Sequence, residues 1–433
     1  MITTYHSAHQ LDHHITTQSR GTPGIVRRRR KAILGLSIAS ALLLAGCGAD
    51  ESSAESLEEM GDTTLVVQSP YGPNHFMSRM WDDYADAVEE ATEGKITFEI
   101  SYSSSIVEVA EQEAALRDGL LDMAWSMPAY DPGELPINAL FTEIAFLPEK
   151  SPQLSFLQGY GSSEFGSLAE PLQNELQNAG LVSLSALVHQ YSGYPLLCAG
   201  GPVTSLEDFA GSRIRVPGAG WASEVESLGG TPVNIVQNEV YESLERGVVD
   251  CAIVAPGNSY EAGLFDVADY WVVDSETTFQ GWNSTHILIA ERVWEDLPLE
   301  AQQILWDEAG STLLRSMMQY SMDSSAEELL TADEQVEILE FEDDVRQALN
   351  AHHEDTITDA EARLADLIGE NTLIGDYQEN QERWLELVTA LGYSDDDHST
   401  WLEWAESHRD QPVDLDPFFE AFEEEVVQPH RPE

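Results

Sequence analysis

The chain has 433 residues, with 78 acidic against 20 basic side chains and a formal net charge of −58 at neutral pH. A surface this negative repels polyphosphate backbones and excludes nucleic-acid binding. It keeps a chain soluble at a cost in self-repulsion that salt screens, so adaptation to a saline medium is expected.

Residues 1–46 read as a targeting leader: the basic run Arg27 to Arg30 and Lys31 precedes an apolar stretch from Ala32 to Leu44. That stretch is too short for a stable membrane-spanning helix. Leu44-Ala45-Gly46-Cys47 resembles the lipobox of bacterial lipoproteins. The resemblance implies that Cys47 is the lipidated first residue of the mature chain, held at the outer face of the cytoplasmic membrane; a plain secretory peptide with a chance cysteine is the alternative. Residues 47–61 have the small, polar, acidic composition of a flexible tether, so the folded body is expected from Asp62. Without the leader the balance is 14 basic against 77 acidic side chains, a net of −63. Cys198 and Cys251 remain, an even pair that forms a disulfide outside the cytoplasm or stays as two buried thiols.

The body opens with the β-branched run Thr63 to Gln68 and the polar turn Ser69-Pro70-Tyr71-Gly72-Pro73-Asn74. Met77, Met80, Trp81, Tyr84 and Val88 then recur at helical spacing, with Asn74 as N-cap and Gly94 as stop. Ile96 to Ser101 is the next strand, which makes a βαβ unit whose first loop lies where α/β sheets bind ligands. A helix from Val107 to Asp118 leads through Gly119 to a strand at Asp122 to Ser126. Leu116-Arg117-Asp118-Gly119-Leu120-Leu121-Asp122-Met123-Ala124 is echoed 128 residues later by Leu244-Glu245-Arg246-Gly247-Val248-Val249-Asp250-Cys251-Ala252. Each copy is a helix end, a capping Gly, two aliphatics, an Asp and a strand, so two similar lobes are expected.

Between the copies, Pro152 to Ala179 is helical and Leu181 to Gln190 is a long strand suited to crossing between lobes. Ala222 to Leu228 is a short helix, and Val233 to Val236, Trp271 to Asp274 and His286 to Ala290 are strands, the last returning to the first lobe. From Pro298 the pattern is helical almost to the end.

Asp208-Phe209-Ala210-Gly211-Ser212-Arg213-Ile214-Arg215-Val216-Pro217 holds the only i, i+2 basic pair of the mature chain. In a strand both guanidinium groups leave the same face, and Arg is the side chain that forks onto a carboxylate. An edge-strand arginine paired with one of the many acids is the bland reading. Pro217-Gly218, which ends the strand where a cleft opens, favours an anionic ligand.

Leu206 to Pro217, Leu228-Gly229-Gly230-Thr231-Pro232-Val233, Glu239 to Asp250, and Trp294-Glu295-Asp296-Leu297-Pro298 with Ala301-Gln302 resemble, in order and spacing, the extracytoplasmic solute-binding subunit of TRAP transporters, the DctP-type family. The resemblance covers roughly Asp62 to Leu330. It implies an α/β, two-lobed periplasmic-binding-protein-like fold with an interlobe ligand cleft, followed here by a helical C-terminal region. Lobe I is expected over 62–192, completed by 280–320; lobe II over 193–279, completed by 321–415; and 416–433 as an acidic tail. The implied function is capture of a small organic acid by hinge closure and its delivery to the membrane subunits, with Arg215 on the ligand carboxylate and Arg213 peripheral.

This sequence departs from the family pattern in two places. The second Arg that many members carry on the crossing strand falls at or near Pro195, and the family's Gly-Gln-Glu-Asn-Pro is replaced by Cys251 to Pro256, which lacks the Asn. Both departures point away from a dicarboxylate or sugar acid and toward a monocarboxylate with an apolar or cationic body. Tyr71, Asn74, Trp125, Tyr130, Tyr194, Trp221, Trp282 and Asn283 are the candidate lining residues, though each aromatic taken alone is more often core or hinge packing. No cofactor or metal motif stands out: His352-His353-Glu354 reads as a solvated helix face and Asp395-Asp396-Asp397 lacks the rest of a calcium loop. A sensory ligand-binding subunit and an extracellular enzyme acting on an organic acid are the alternatives, the enzyme without a recognisable nucleophile or base.

Overall fold

A computed structural model describes residues 56–130, 132–147, 151–189, 193–396, 398 and 400–433. The leader and Cys47 lie outside the described residues. Two sheets carry the fold. The first uses β1 (Thr63–Gln68), β2 (Ile96–Ser101), β3 (Met123–Ser126), β4 (Leu181–His189) and, from far downstream, β10 (Trp282–Ala290), in the order β2-β1-β3-β10-β4. The second uses β5 (Leu196–Cys198), β6 (Arg213–Val216), β7 (Thr231–Asn234), β8 (Cys251–Ile253), β9 (Tyr270–Val272) and β11 (Glu337–Leu339), in the order β11-β9-β5-β8-β6-β7. Each sheet has a parallel trio, β2-β1-β3 or β7-β6-β8, continued by an antiparallel strand.

The internal repeat maps one trio onto the other, and its aspartates explain why. Asp122 donates its backbone N–H to Val66 O at 2.8 Å, and Asp250 does the same to Arg213 O at 2.8 Å. Their carboxylates accept in return from Val66 N at 2.9 Å and Arg213 N at 2.8 Å. Each Asp thus clasps the turn before an outer strand, β3 or β8, to the central strand of its parallel trio, β1 or β6. In both turns the first aliphatic, Leu120 or Val248, is exposed and the second, Leu121 or Val249, is buried.

The helix Phe76–Ala91 buries Met77, Met80, Trp81, Tyr84 and Val88, as their spacing predicts. Its N-cap is His75 rather than Asn74: the imidazole accepts Met77 N–H, and Asn74 is exposed one residue earlier. β4 stays in the first sheet as its edge strand, so the chain crosses between lobes after it. Cys198 and Cys251, directly opposed on β5 and β8, form a disulfide.

Three expectations outside the sheets change. Residues 56–61 are not all tether: Met60 is buried in the main core, and its carbonyl accepts from Lys95 Nζ at 3.0 Å. The region expected to complete lobe II is divided: β11 joins the second sheet, while later helices pack on lobe I. The helix Leu373–Ala390 packs on Pro152–Ser162, with Arg383 and the Trp384 indole N–H both bonded to Glu164. The expected acidic tail is a docked helix, because Phe418, Phe419, Phe422, Val426 and Val427 form its buried face while its glutamates stay outside. Trp306 Nε1 donates to Val427 O at 3.0 Å, and Arg431 pairs with Asp307 at 2.6 Å.

The helix Asp343–Ile368 spans both lobes. Val345 and Leu349 join the main core, while Ala360 and Leu364 pack on Ile137, Leu140 and Phe141 of lobe I. His353 on this helix is not solvated: it stacks on Phe146 at 3.8 Å and bonds Glu224 at 2.9 Å. Asp395 accepts from Gln153 N and Leu154 N at 2.8 and 2.9 Å, the work of a helix cap rather than a metal ligand. Among the described residues no helix is long and apolar enough to cross a membrane, and no His/Cys/Asp/Glu group could hold a metal ion.

Candidate functional site

β6 begins with an exposed Arg213 and then buries Ile214, Arg215 and Val216. Arg213 is spent on Asp250, with Nη2–Oδ1 at 2.6 Å and Nε–Oδ2 at 3.1 Å. Arg215 is 3% exposed, and among the described residues it has no carboxylate in ion-pair range. Its Nε donates to Ile235 O at 2.8 Å and its Nη1 to Ile253 O at 2.6 Å. These two bonds pin the guanidinium between the ends of β7 and β8 and leave Nη2 without a partner among the described residues. Every other described arginine except Arg79 sits in an ion pair.

Burial pulls the Arg215 pKa down to about 10, against the phenol groups of Tyr130, Tyr194 and Tyr71, which favour the cation. A guanidinium at that value is still protonated at neutral pH. It is therefore a buried cation ringed by tyrosines, with no counter-charge of its own among the described residues.

Tyr71 comes from the loop after β1, and burial raises its phenol pKa far above the usual value. Its ring stacks on His75 at 3.9 Å and leans on Trp125 of β3 at 6.1 Å. Tyr130 follows β3 and is 41% exposed. Tyr194 lies at the crossing into lobe II, bridged to Phe279, with Trp221 behind it at 5.4 Å. The Trp221 indole N–H goes to Gln280 O at 2.7 Å, so this residue supports the wall from the hinge side.

Of the expected residues, the fold therefore gathers Tyr71, Tyr130 and Tyr194 about Arg215, with Trp125 and Trp221 as backing. Asn74 is left on the surface. Trp282 and Asn283 open β10, where their side chains lie outside the described residues. Sequence reasoning missed His75 and Asn258. His75 Nε2 meets Asn258 Oδ1 at 3.0 Å, joining lobe I to the short helix Asn258–Glu261 after β8. An asparagine thus reaches the cleft from Asn258, although the Cys251 to Pro256 stretch has none. The signal in the sequence was Pro256-Gly257-Asn258, a turn just past a strand end, which periodicity does not reveal. Glu328, 0% exposed on the helix Leu314–Gln335, fixes that turn by accepting from Gly257 N at 2.7 Å and Ser259 N at 2.9 Å.

The family model for "Bacterial extracellular solute-binding protein, family 7" (DctP) matches residues 70–362. A solute-binding protein of Albidiferax ferrireducens is 26% identical over 231 residues, 53% of this chain and 65% of that protein. The C4-dicarboxylate-binding periplasmic protein DctP of Rhodobacter capsulatus is 23% identical over 221 residues, 51% of this chain and 62% of its own length. The matches thus span less than two thirds of these relatives. A TRAP periplasmic solute-binding protein from Desulfovibrio salexigens, solved with bound orotic acid, superposes with a TM-score of 0.63 at 19% identity, covering 74% of this chain and 99% of that one. The family and these structural neighbours are solute-binding receptors rather than enzymes. Matched over more than half its length and folded into the same two lobes, the chain belongs to the DctP family of bacterial extracellular solute-binding proteins.

Proposed function

We propose that this chain is a solute receptor of a TRAP-type transporter that closes its lobes over a small monocarboxylate and delivers it to the membrane permease subunits. One observation carries the reading: Arg215 is buried, cationic and without a carboxylate partner among the described residues, and its Nη2 is left for a ligand. Among the described residues the other arginine outside an ion pair, Arg79, lies over the Tyr320 ring at 4.2 Å, so a second ligand carboxylate would be buried unpaired beside Arg215 in a strongly acidic protein. The tyrosine and tryptophan walls suit a planar or apolar body, in keeping with the orotic acid bound by the Desulfovibrio salexigens relative. Trp282 and Asn283 at the start of β10 complete the lining in this proposal. Cys47 supplies a lipid anchor on the outer face of the cytoplasmic membrane, and Cys47→Ala is expected to release the receptor from the membrane fraction.

The test is a thermal-shift screen of mono- and dicarboxylates, orotate included, followed by calorimetry on the wild type and Arg215→Ala. Bound monocarboxylates raise the melting temperature, and Arg215→Ala weakens them by about 2 kcal/mol or more. Unchanged affinity in that variant refutes the proposal.

A further inference from the structure

The helix Asp343–Ile368 is fastened to lobe II near its start and to lobe I near its end. Asp344 accepts from Leu206 N at 3.3 Å, Arg346 pairs with Asp274 at 2.8 Å, and Asn350 Oδ1 accepts from Thr277 Oγ1 at 2.8 Å. Toward the other end Arg363 pairs with Glu143 at 2.6 Å. His353 lies between these two sets of anchors and is 7% exposed. Its ring stacks on Phe146 of lobe I, with centroids 3.8 Å apart and planes 3° from parallel. Its Nε2 donates at 2.9 Å to Glu224 Oε1, on the helix Ala219–Ser227 of lobe II. One imidazole thus touches both lobes. The lobe II helix also grips the second crossing between them. Gln280, just before β10, gives its backbone N–H to Glu224 Oε1 at 2.8 Å and accepts the Trp221 indole N–H on its carbonyl at 2.7 Å. The contact is close enough that a Cβ at Gly220 would come within 2.4 Å of the Gln280 side chain. This helix starts four residues after Arg215. The strand that carries the candidate ligand arginine therefore runs straight into the helix that holds the crossing, and Glu224 is where that helix meets His353. Glu224 is 1% exposed, and a buried carboxylate is costly to strip of a donor.

We infer that His353 is a latch in series between the lobes: it joins Glu224 to Phe146 only in the closed arrangement, and so sets how readily the receptor closes. The inference rests on the reading above of a receptor that closes over its solute. The lobes meet in this structure, since His75 Nε2 and Asn258 Oδ1 bond across the cleft at 3.0 Å. Rotating lobe II away carries Glu224 from Phe146, and a single ring cannot follow both. Opening therefore costs one of the two contacts, and losing either end releases the whole link. The latch touches the crossing and the spanning helix rather than the Arg215 site. It moves the balance of open and closed molecules, and with it the apparent affinity, while the ligand's own contacts stay as they are.

The test places a donor and an acceptor fluorophore on Asp118→Cys and Glu245→Cys of the full mature chain, exposed positions at the ends of the helices before β3 and β8, with Cys198 and Cys251 held in their disulfide. Energy transfer between the lobes is followed as orotate, the monocarboxylate probe, is raised. His353→Ala is expected to raise the orotate concentration at half closure about tenfold and to leave the closed value at saturation unchanged. His353→Gln keeps a donor for Glu224 without the aromatic ring, and His353→Phe keeps the ring without the donor. Each should shift the midpoint as far as His353→Ala, because a link in series fails when either end is cut. Partial shifts that only together reach the alanine value describe two independent packing contacts and overturn the latch. So does an alanine variant that closes at the wild-type concentration; both outcomes leave the receptor reading standing. A wild type whose transfer changes neither with orotate nor with the other monocarboxylates of the thermal-shift screen overturns both. Should His353→Ala fail to fold, the Gln and Phe variants decide alone: equal shifts support the latch, and wild-type midpoints in either refute it.

Discussion

Glu328→Gln tests how the turn that carries Asn258 is held. The carboxylate is 0% exposed and accepts three backbone N–H groups, from Gly257 at 2.7 Å, Ser259 at 2.9 Å and Tyr260 at 3.3 Å. Burial nevertheless outweighs these donors and raises its pKa from 4.5 to about 7. A carboxyl whose folded pKa lies above its unfolded value binds its proton more tightly when folded. Its contribution therefore favours folding at low pH and is lost as pH rises from about 4.5 through 7. That difference in pKa corresponds to about 3 kcal/mol across the window. Glutamine mimics the protonated acid at every pH, so the variant should lack this part of the slope. It also turns its NH2 group toward the single donor Gly257, costing about 1–2 kcal/mol that does not vary with pH. Urea unfolding followed by tryptophan fluorescence from pH 5 to pH 8 reads both effects. The variant should be the less stable protein at pH 5 and should close the gap or overtake by pH 8. Parallel wild-type and variant curves would refute the argument that burial dominates at this carboxylate.

Replacing Cys198 and Cys251 by alanine opens a loop of sequence separation 53; chain entropy assigns that closure about 4 kcal/mol, and a loss below about 1 kcal/mol in urea unfolding would contradict it. Gly193→Ala places a methyl 2.1 Å from Phe279 O at a φ of +87°, so it should lower stability by at least about 2 kcal/mol and disturb the Tyr194 bridge; a melting temperature equal to wild type would show that the crossing segment relaxes freely. Asp122→Ala should cost more than Asp250→Ala in thermal unfolding, since the Asp122 side chain is 17% exposed against 41% for Asp250; the reverse order would argue against the clasp as the source of the effect.

The two lobes and the central arginine were legible because each leaves a local mark. The repeat around Asp122 and Asp250 has a spacing that the clasp itself requires, and Arg213-Ile214-Arg215 alternates as a strand must. Which of the two arginines is taken by an acid was not legible, because the pairing of Arg213 with Asp250 appears only once β6 and β8 are side by side. What escaped was tertiary. His75, Asn258 and Glu328 come from three distant stretches and acquire meaning only where the lobes and the long helix meet. The C-terminal segment misled by composition: the acids of Glu423-Glu424-Glu425 dominate a count, while Phe418, Phe419 and Phe422 decide the packing. The N-cap was misplaced by one residue because His75 caps with a ring nitrogen, outside the usual Ser, Thr, Asp and Asn set.

The position of β10 bears on the order of assembly. It lies between β3 and β4, so the first sheet stays open along its middle until residues 282–290 have been made, and the lobe is sealed later still by Val427 against Trp306. The second sheet, by contrast, has five of its six strands between Leu196 and Val272 and awaits only the edge strand β11. The lobe that begins first in the chain is thus the last to close, the reverse of the N-to-C order followed by domains strung in tandem. Its contacts of long sequence separation make it the slower folder, and in pulse-labelled hydrogen exchange the amides of β6 and β8 should gain protection before those of β1 and β3.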